Sequence, residues 1–118
     1  MELCEDMTVT MLKKDGVGLA APQIGVNIRL IVIQHKEKIF IMINPSITKK
    51  SWAKKSGEEG CLSIPNVFGN VSRHKRVSCH YIDLNGKKQK LLAENMLARI
   101  LQHEIDHLDA ILFTDKAK

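Results

Sequence analysis

The segment His103-Glu104-Ile105-Asp106-His107 constrains the fold of this 118-residue chain more than any other. Four residues of helix advance about 400°, so the two imidazoles point the same way. At about 100° per residue, Met96, Ile100, His103 and His107 fall within ~60° of one another. Leu97, Leu101, Glu104 and Leu108 extend that arc, while Arg99, Gln102 and Asp106 lie elsewhere. Two histidines and a carboxylate therefore share the face that the rest of the chain must bury. A buried carboxylate is costly without a partner or a task. Imidazoles at this spacing can bridge a divalent metal, and the glutamate beside the first can act on water there. The bland alternative is two hydrogen-bonded core histidines with Glu104 at the rim.

Bulk properties fit one domain over residues 1–118, with 44% apolar residues and material for a single core. No run approaches the ~20 apolar residues of a membrane span, and no leader resembles a signal peptide. Cys4, Cys61 and Cys79 are odd in number and unpaired in spacing, which argues against a disulfide framework and for a reducing compartment. The net charge of +5 comes with dispersed lysine pairs, which read as a solvated surface; aromatic residues at 4% offer few base-stacking platforms.

The pattern along the chain is a helix, then short strands, then a helix. Leu3, Met7 and Met11 recur every four residues and predict an amphipathic helix ending before Gly16. Leu30–Ile33 and Ile39–Ile43 are β-branched runs around His35-Lys36-Glu37-Lys38, a predicted hairpin, with Asn44-Pro45 ending its second strand. Val77, Cys79 and Tyr81 alternate with polar neighbours, and Asn85-Gly86 predicts a type I′ turn into Lys88–Leu92. Helical periodicity returns from about Asn95, a good N-cap residue, to Asp109. The expected class is α+β, with antiparallel strands packed around a central C-terminal helix that carries the H-E-x-x-H motif.

A catalytic metal site of this kind usually has three protein ligands and one open position. Ala110 and Phe113 stand where the extended downstream motif would need Gly and His, and eleven residues after His107 are too few for a second ligand-bearing helix. The third ligand is therefore expected upstream. Cys61, in Glu59-Gly60-Cys61-Leu62-Ser63-Ile64-Pro65, is the strongest candidate, since a thiolate suits a divalent transition metal. Taken alone it would more often be a small buried core residue. Cys79 fits that core reading better, and Cys4 reads as exposed or frayed. Gly16-Val17-Gly18-Leu19-Ala20-Ala21-Pro22-Gln23-Ile24-Gly25 lacks the Lys-Ser/Thr ending of a phosphate loop. Its small residues allow close backbone approach, and Gln23 offers an amide donor that could stabilise a developing oxyanion. A tight turn with an exposed glutamine remains the alternative.

Three segments together carry a specific resemblance. Residues 16–23, Glu59-Gly60-Cys61-Leu62-Ser63 and Gln102-His103-Glu104-Ile105-Asp106-His107-Leu108 resemble, in order and at similar separations, the three signature motifs of peptide deformylase. The resemblance spans nearly the whole chain and implies a short form without the segment usually found before the first motif. It implies hydrolytic removal of the formyl group from the N-terminal formylmethionine of nascent polypeptides, with release of formate. A hydrolase of another acyl-amide and an inactive deformylase-like binding protein are the alternatives.

The resemblance also implies roles. Cys61, His103 and His107 match the metal ligands, with Fe²⁺ as the expected ion and Zn²⁺, Ni²⁺ or Co²⁺ able to replace it. Glu104 matches the proton carrier. Gln23 and the backbone N–H of Leu62 match the groups that hold the formyl oxygen. Gly18 matches a close-approach backbone beside the formyl group, and Val17, Met96 and Ile100 fall where the methionine pocket is built. Asp106 could orient a ligand imidazole or pair with a basic group elsewhere. Glu59 and Arg73 resemble positions with structural or substrate-orienting roles. The expected partners are N-formylmethionyl peptides and, weakly, the ribosome, with no DNA or membrane and a monomeric state. The expected place is the cytoplasm of a bacterial or virus-infected bacterial cell, or an organelle.

Overall fold

The computed structural model describes residues 2–13, 16–61 and 64–109, with side chains described throughout except at residues 2 and 60–68. Helix α1 (Glu2–Lys13) is followed by β1 (Gly18–Ala20), a 3₁₀ turn (Ala21–Ile24), and β2 (Leu30–His35). Strands β3 (Lys38–Lys50), β4 (Lys54–Cys61), β5 (Ile64–His74), β6 (Arg76–Ile82) and β7 (Lys88–Glu94) lead to α2 (Asn95–Leu108). A five-stranded sheet runs in the order β1-β2-β3-β6-β7, and β4 and β5 form a separate hairpin. Every pairing is antiparallel. The expected α+β class, with strands packed around the C-terminal helix, is what the structure has.

The large sheet separates two cores, because successive side chains of a strand point to opposite faces. Leu30 and Val32 of β2 join Cys4, Met7 and Met11 of α1. Ile31 and Ile33 join Leu97, Ile100, Leu101 and Ile105 of α2. That two-sided burial explains the unbroken apolar run Leu30–Ile33. Each of the Val, Leu, Ile and Met side chains among them contributes roughly 1.5–3 kcal/mol on full burial. Position every three to four residues on α1 thus puts Cys4 in the core at 1% exposure, correcting its reading as exposed or frayed. Among the described residues, no helix is long and apolar enough to cross a membrane.

Three turn expectations change. Asn44-Pro45 does not end β3: the strand continues to Lys50 through an irregular register between Ile43 and Ser46. Pro45 has no N–H for the ladder, and Asn44, at φ +52°, sends its own N–H to the Arg29 carbonyl. The turn after β6 is not a two-residue type I′. Gly86 N–H bonds the Asp83 carbonyl, Gly86 alone has positive φ (+77°), and Asp83 N–H closes onto the Lys87 carbonyl. This is a type I turn followed by a left-handed glycine. Asn95 is not the N-cap of α2; that place belongs to Glu94, and Asn95 itself has φ +55°. Asparagine is among the few non-glycine residues that tolerate this region.

Candidate functional site

Helix α2 is buried on most of its circumference, so its polar residues must all find partners. His103, Glu104 and His107 are 5–7% exposed, with Glu104 against Gly18 of β1. The two Nε2 atoms stand 3.2 Å apart and the rings meet edge to face at 69°. Among the described residues, potential ligand atoms of His103, Glu104 and His107 gather within 4.8 Å of one another.

The orientation of His103 is fixed from behind. Its Nδ1 lies 2.7 Å from Glu59 Oε1, at 5% side-chain exposure. Glu59 also accepts two hydrogen bonds from Arg73, Nε to Oε2 at 3.0 Å and Nη2 to Oε1 at 2.9 Å, and one from Arg99. Burial alone would push the Glu59 carboxyl up. The bonds from His103 and Arg73, with the Arg73 charge, outweigh it and hold the carboxyl at about 2. An ionised carboxylate only accepts, so His103 Nδ1 carries a proton and Nε2 is the ring nitrogen turned toward His107. Arg73 in turn donates to Asp106. Asp106 thus pairs with a basic group, the second of its two sequence readings, and Glu59 and Arg73 tie the β4–β5 hairpin to the helix.

On the opposite wall, β1 runs against Glu104. Gly18 is buried, and a Cβ there would lie 2.5 Å from Glu104 Oε2 and 2.8 Å from its Cγ. Gly18 has no positive φ, so close approach rather than backbone conformation demands glycine. Five residues on, the Gln23 Oε1 accepts the Ala20 N–H at 2.8 Å. That bond fixes the amide orientation and leaves Nε2 as the donor end. Val17, next to Gly18, is 53% exposed, Met96 on the first turn of α2 is 59% exposed, and Ile100 is 6% exposed within the core. Cys61 is the last residue of β4, paired with Ile64; its side chain and the whole of Leu62 lie outside the described residues. Cys79 is buried in β6, as its alternation predicted.

Sequence reasoning missed the second stripe of α2. Arg99, Gln102 and Asp106, expected away from the ligand arc, face the β4–β5 hairpin. Gln102 accepts the His74 N–H at 3.0 Å and donates to the His74 carbonyl at 2.8 Å. The available signal was their own spacing, three and four residues apart, which makes a continuous polar line on a helix.

Two inward-facing imidazoles, one oriented by a buried carboxylate, fit a divalent cation, and the adjoining Glu104 completes the H-E-x-x-H cluster. The model of the polypeptide deformylase family matches residues 1–118, and the chain belongs to that family. A peptide deformylase of Symbiobacterium thermophilum is 52% identical over 98% of this chain and 54% of its own length. One from Thermoanaerobacter pseudethanolicus is 50% identical over 99% of this chain and 73% of its own. The crystal structure of a peptide deformylase from Synechococcus elongatus in complex with actinonin superposes at a TM-score of 0.96 and 44% identity, covering 99% of this chain and 64% of that one. The chain therefore spans little more than half of the first of these relatives and just under two thirds of the Synechococcus protein.

Proposed function

We propose that the chain is a peptide deformylase, a metal-dependent hydrolase that removes the formyl group from N-terminal formylmethionine of nascent polypeptides and releases formate. The observation that carries this is the meeting of His103, His107 and Glu104 against the Gly18 backbone, within a chain of the deformylase family. Cys61, His103 and His107 are the proposed ligands, with Fe²⁺ as the resident ion and Zn²⁺, Ni²⁺ or Co²⁺ as replacements. When bound, such an ion supplies Lewis-acid polarisation and brings the pKa of water toward neutrality.

The chain's own residues do the rest. Glu104 takes a proton from the attacking water and returns it to the departing amine. The Gln23 amide donor and the Leu62 backbone N–H hold the formyl oxygen as negative charge develops on it. Gly18, with no side chain, lets the formyl end of the substrate approach the β1 backbone. Val17, Met96 and Ile100 shape the methionine pocket; the exposure of the first two supports their availability to a substrate. The chain acts as a monomer on formylmethionyl peptides, with at most weak ribosome contact, in a bacterial or virus-infected cytoplasm or an organelle.

The test is metal content and formate release after anaerobic purification. Cys61→Ala, His103→Ala and His107→Ala are each expected to lose metal and activity together. Unchanged metal stoichiometry in Cys61→Ala would overturn the ligand set.

A further inference from the structure

Arg99 stands one helical turn before His103 and reaches away from it, toward the β4–β5 hairpin. Its guanidinium donates through Nη1 to Glu59 and, at 2.9 Å, to the Val71 carbonyl of β5. Through Nη2 it donates to the Lys55 carbonyl of β4. One side chain, 12% exposed, thereby holds both hairpin strands and the carboxylate that orients His103. The seat is Gly57. A Cβ there would lie 2.9 Å from Arg99 Cζ and 3.1 Å from its Nε. Gly57 is not among the residues of positive φ, so a side chain there would act by displacing the Arg99 guanidinium rather than by straining the backbone.

The hairpin ends at Cys61 and α2 carries His103 and His107, so the two structural units each bring part of the proposed ligand set. Four polar residues of α2 join them: Arg99 as described, Gln102 on the His74 backbone, Asp106 on Arg73, and His103 itself on Glu59. Among the described residues, only Arg99 spans both strands and Glu59 at once.

We infer that Arg99, seated over Gly57, is a positioning residue that sets the hairpin ligand against the helix ligands. It acts through Glu59 and the two carbonyls and touches neither substrate nor metal. The inference rests on the ligand set proposed above. Lysine at this position would keep the charge but cannot serve three acceptors in a fixed fork.

The test is a double-mutant cycle on the full chain with Arg99→Lys, Gly57→Ala and both, using Zn²⁺ titration, the Co²⁺ absorption spectrum and the Tm of metal-free protein. Each single change is expected to weaken Zn²⁺ binding by about 10- to 100-fold, as supporting residues behind a ligand typically do. Each should also shift the Co²⁺ spectrum, and the double variant should be no worse than the weaker single one. Zn²⁺ affinity like the parent's in either variant overturns the inference, as do additive losses. So does a fall in Tm with an unaltered Co²⁺ spectrum, which marks a purely structural role. Failure of the parental chain to take up Zn²⁺ sinks the ligand set instead. The seam is then read without metal, by NMR of the His103 Nδ1 proton. Protection in the parent and loss in both variants supports the seam; equal protection in all three overturns it.

Discussion

Gly18→Ala is expected to cost about 100-fold in kcat/KM while metal stays bound. The added Cβ would stand 2.5 Å from Glu104 Oε2, 2.8 Å from Cγ and 2.9 Å from Cδ, where ordinary contact begins at 3.4 Å. Alanine can adopt the backbone conformation at this position, so the whole penalty is steric. Strand β1 cannot retreat freely, because Gly18, Leu19 and Ala20 are registered on Ile33, Val32 and Ile31 of β2. The Glu104 carboxylate must give way by roughly 1 Å, and a misplacement of that size costs on the order of 10²-fold in rate, or about 2.7 kcal/mol of barrier. Crowding adds about 1–3 kcal/mol of destabilisation. His103 and His107 are not displaced, so metal content should match the parent's. The assay is formate release from formyl-Met-Ala-Ser, read with metal content and Tm. Activity within about threefold of the parent would refute the placement of Glu104 as the proton carrier packed on β1.

Two further outcomes follow from buried groups. Burial pushes the Cys79 thiol up to about 11 and raises that of Cys4, so alkylation of native, metal-free protein at pH near 8 should modify no thiol but Cys61; label on Cys79 or Cys4, mapped by mass spectrometry, would contradict this. The Glu59 carboxyl is held at about 2, below its ordinary 4.5, so its stabilisation is complete above pH 4.5 and is lost as pH falls toward 2. In metal-free protein the stability gap between the parent and Glu59→Gln should therefore shrink across that window, by roughly 3 kcal/mol in all. A gap that stays constant to the acid end would rule out the ionised Glu59 assignment.

The site was more legible than the turns, for a physical reason. Two side chains that meet on one helix face must be spaced by the helical repeat, so His103 and His107 declare both their helix and their shared face. The run Leu30–Ile33 likewise had to be buried on both sides, as it is between α1 and α2. Backbone exceptions leave weaker marks. Lys36 and Glu37 both take positive φ between β2 and β3, a conformation that their residue types do not announce. Asn44-Pro45 carries the marks of a strand end yet sits inside β3, because the Arg29 carbonyl takes the Asn44 N–H. Asn95 looked like a cap and instead fills a left-handed position. The role of Glu59 needed the third dimension: its partners are 14, 40 and 44 residues away along the chain. So did Gly57, whose missing side chain matters only because Arg99 arrives from α2.

The central claim, that Glu104 carries the proton in a metal-dependent deformylation, is tested most directly by Glu104→Gln. Glutamine preserves shape and hydrogen bonding but cannot act as the base, and the proposed ligands Cys61, His103 and His107 are untouched. Metal content and formate release from formyl-Met-Ala-Ser should be measured together on anaerobically prepared parent and variant. The expected result is full metal content with kcat lower by about 10²–10⁴-fold. Turnover by Glu104→Gln at close to the parental rate, with metal bound, would contradict the mechanism.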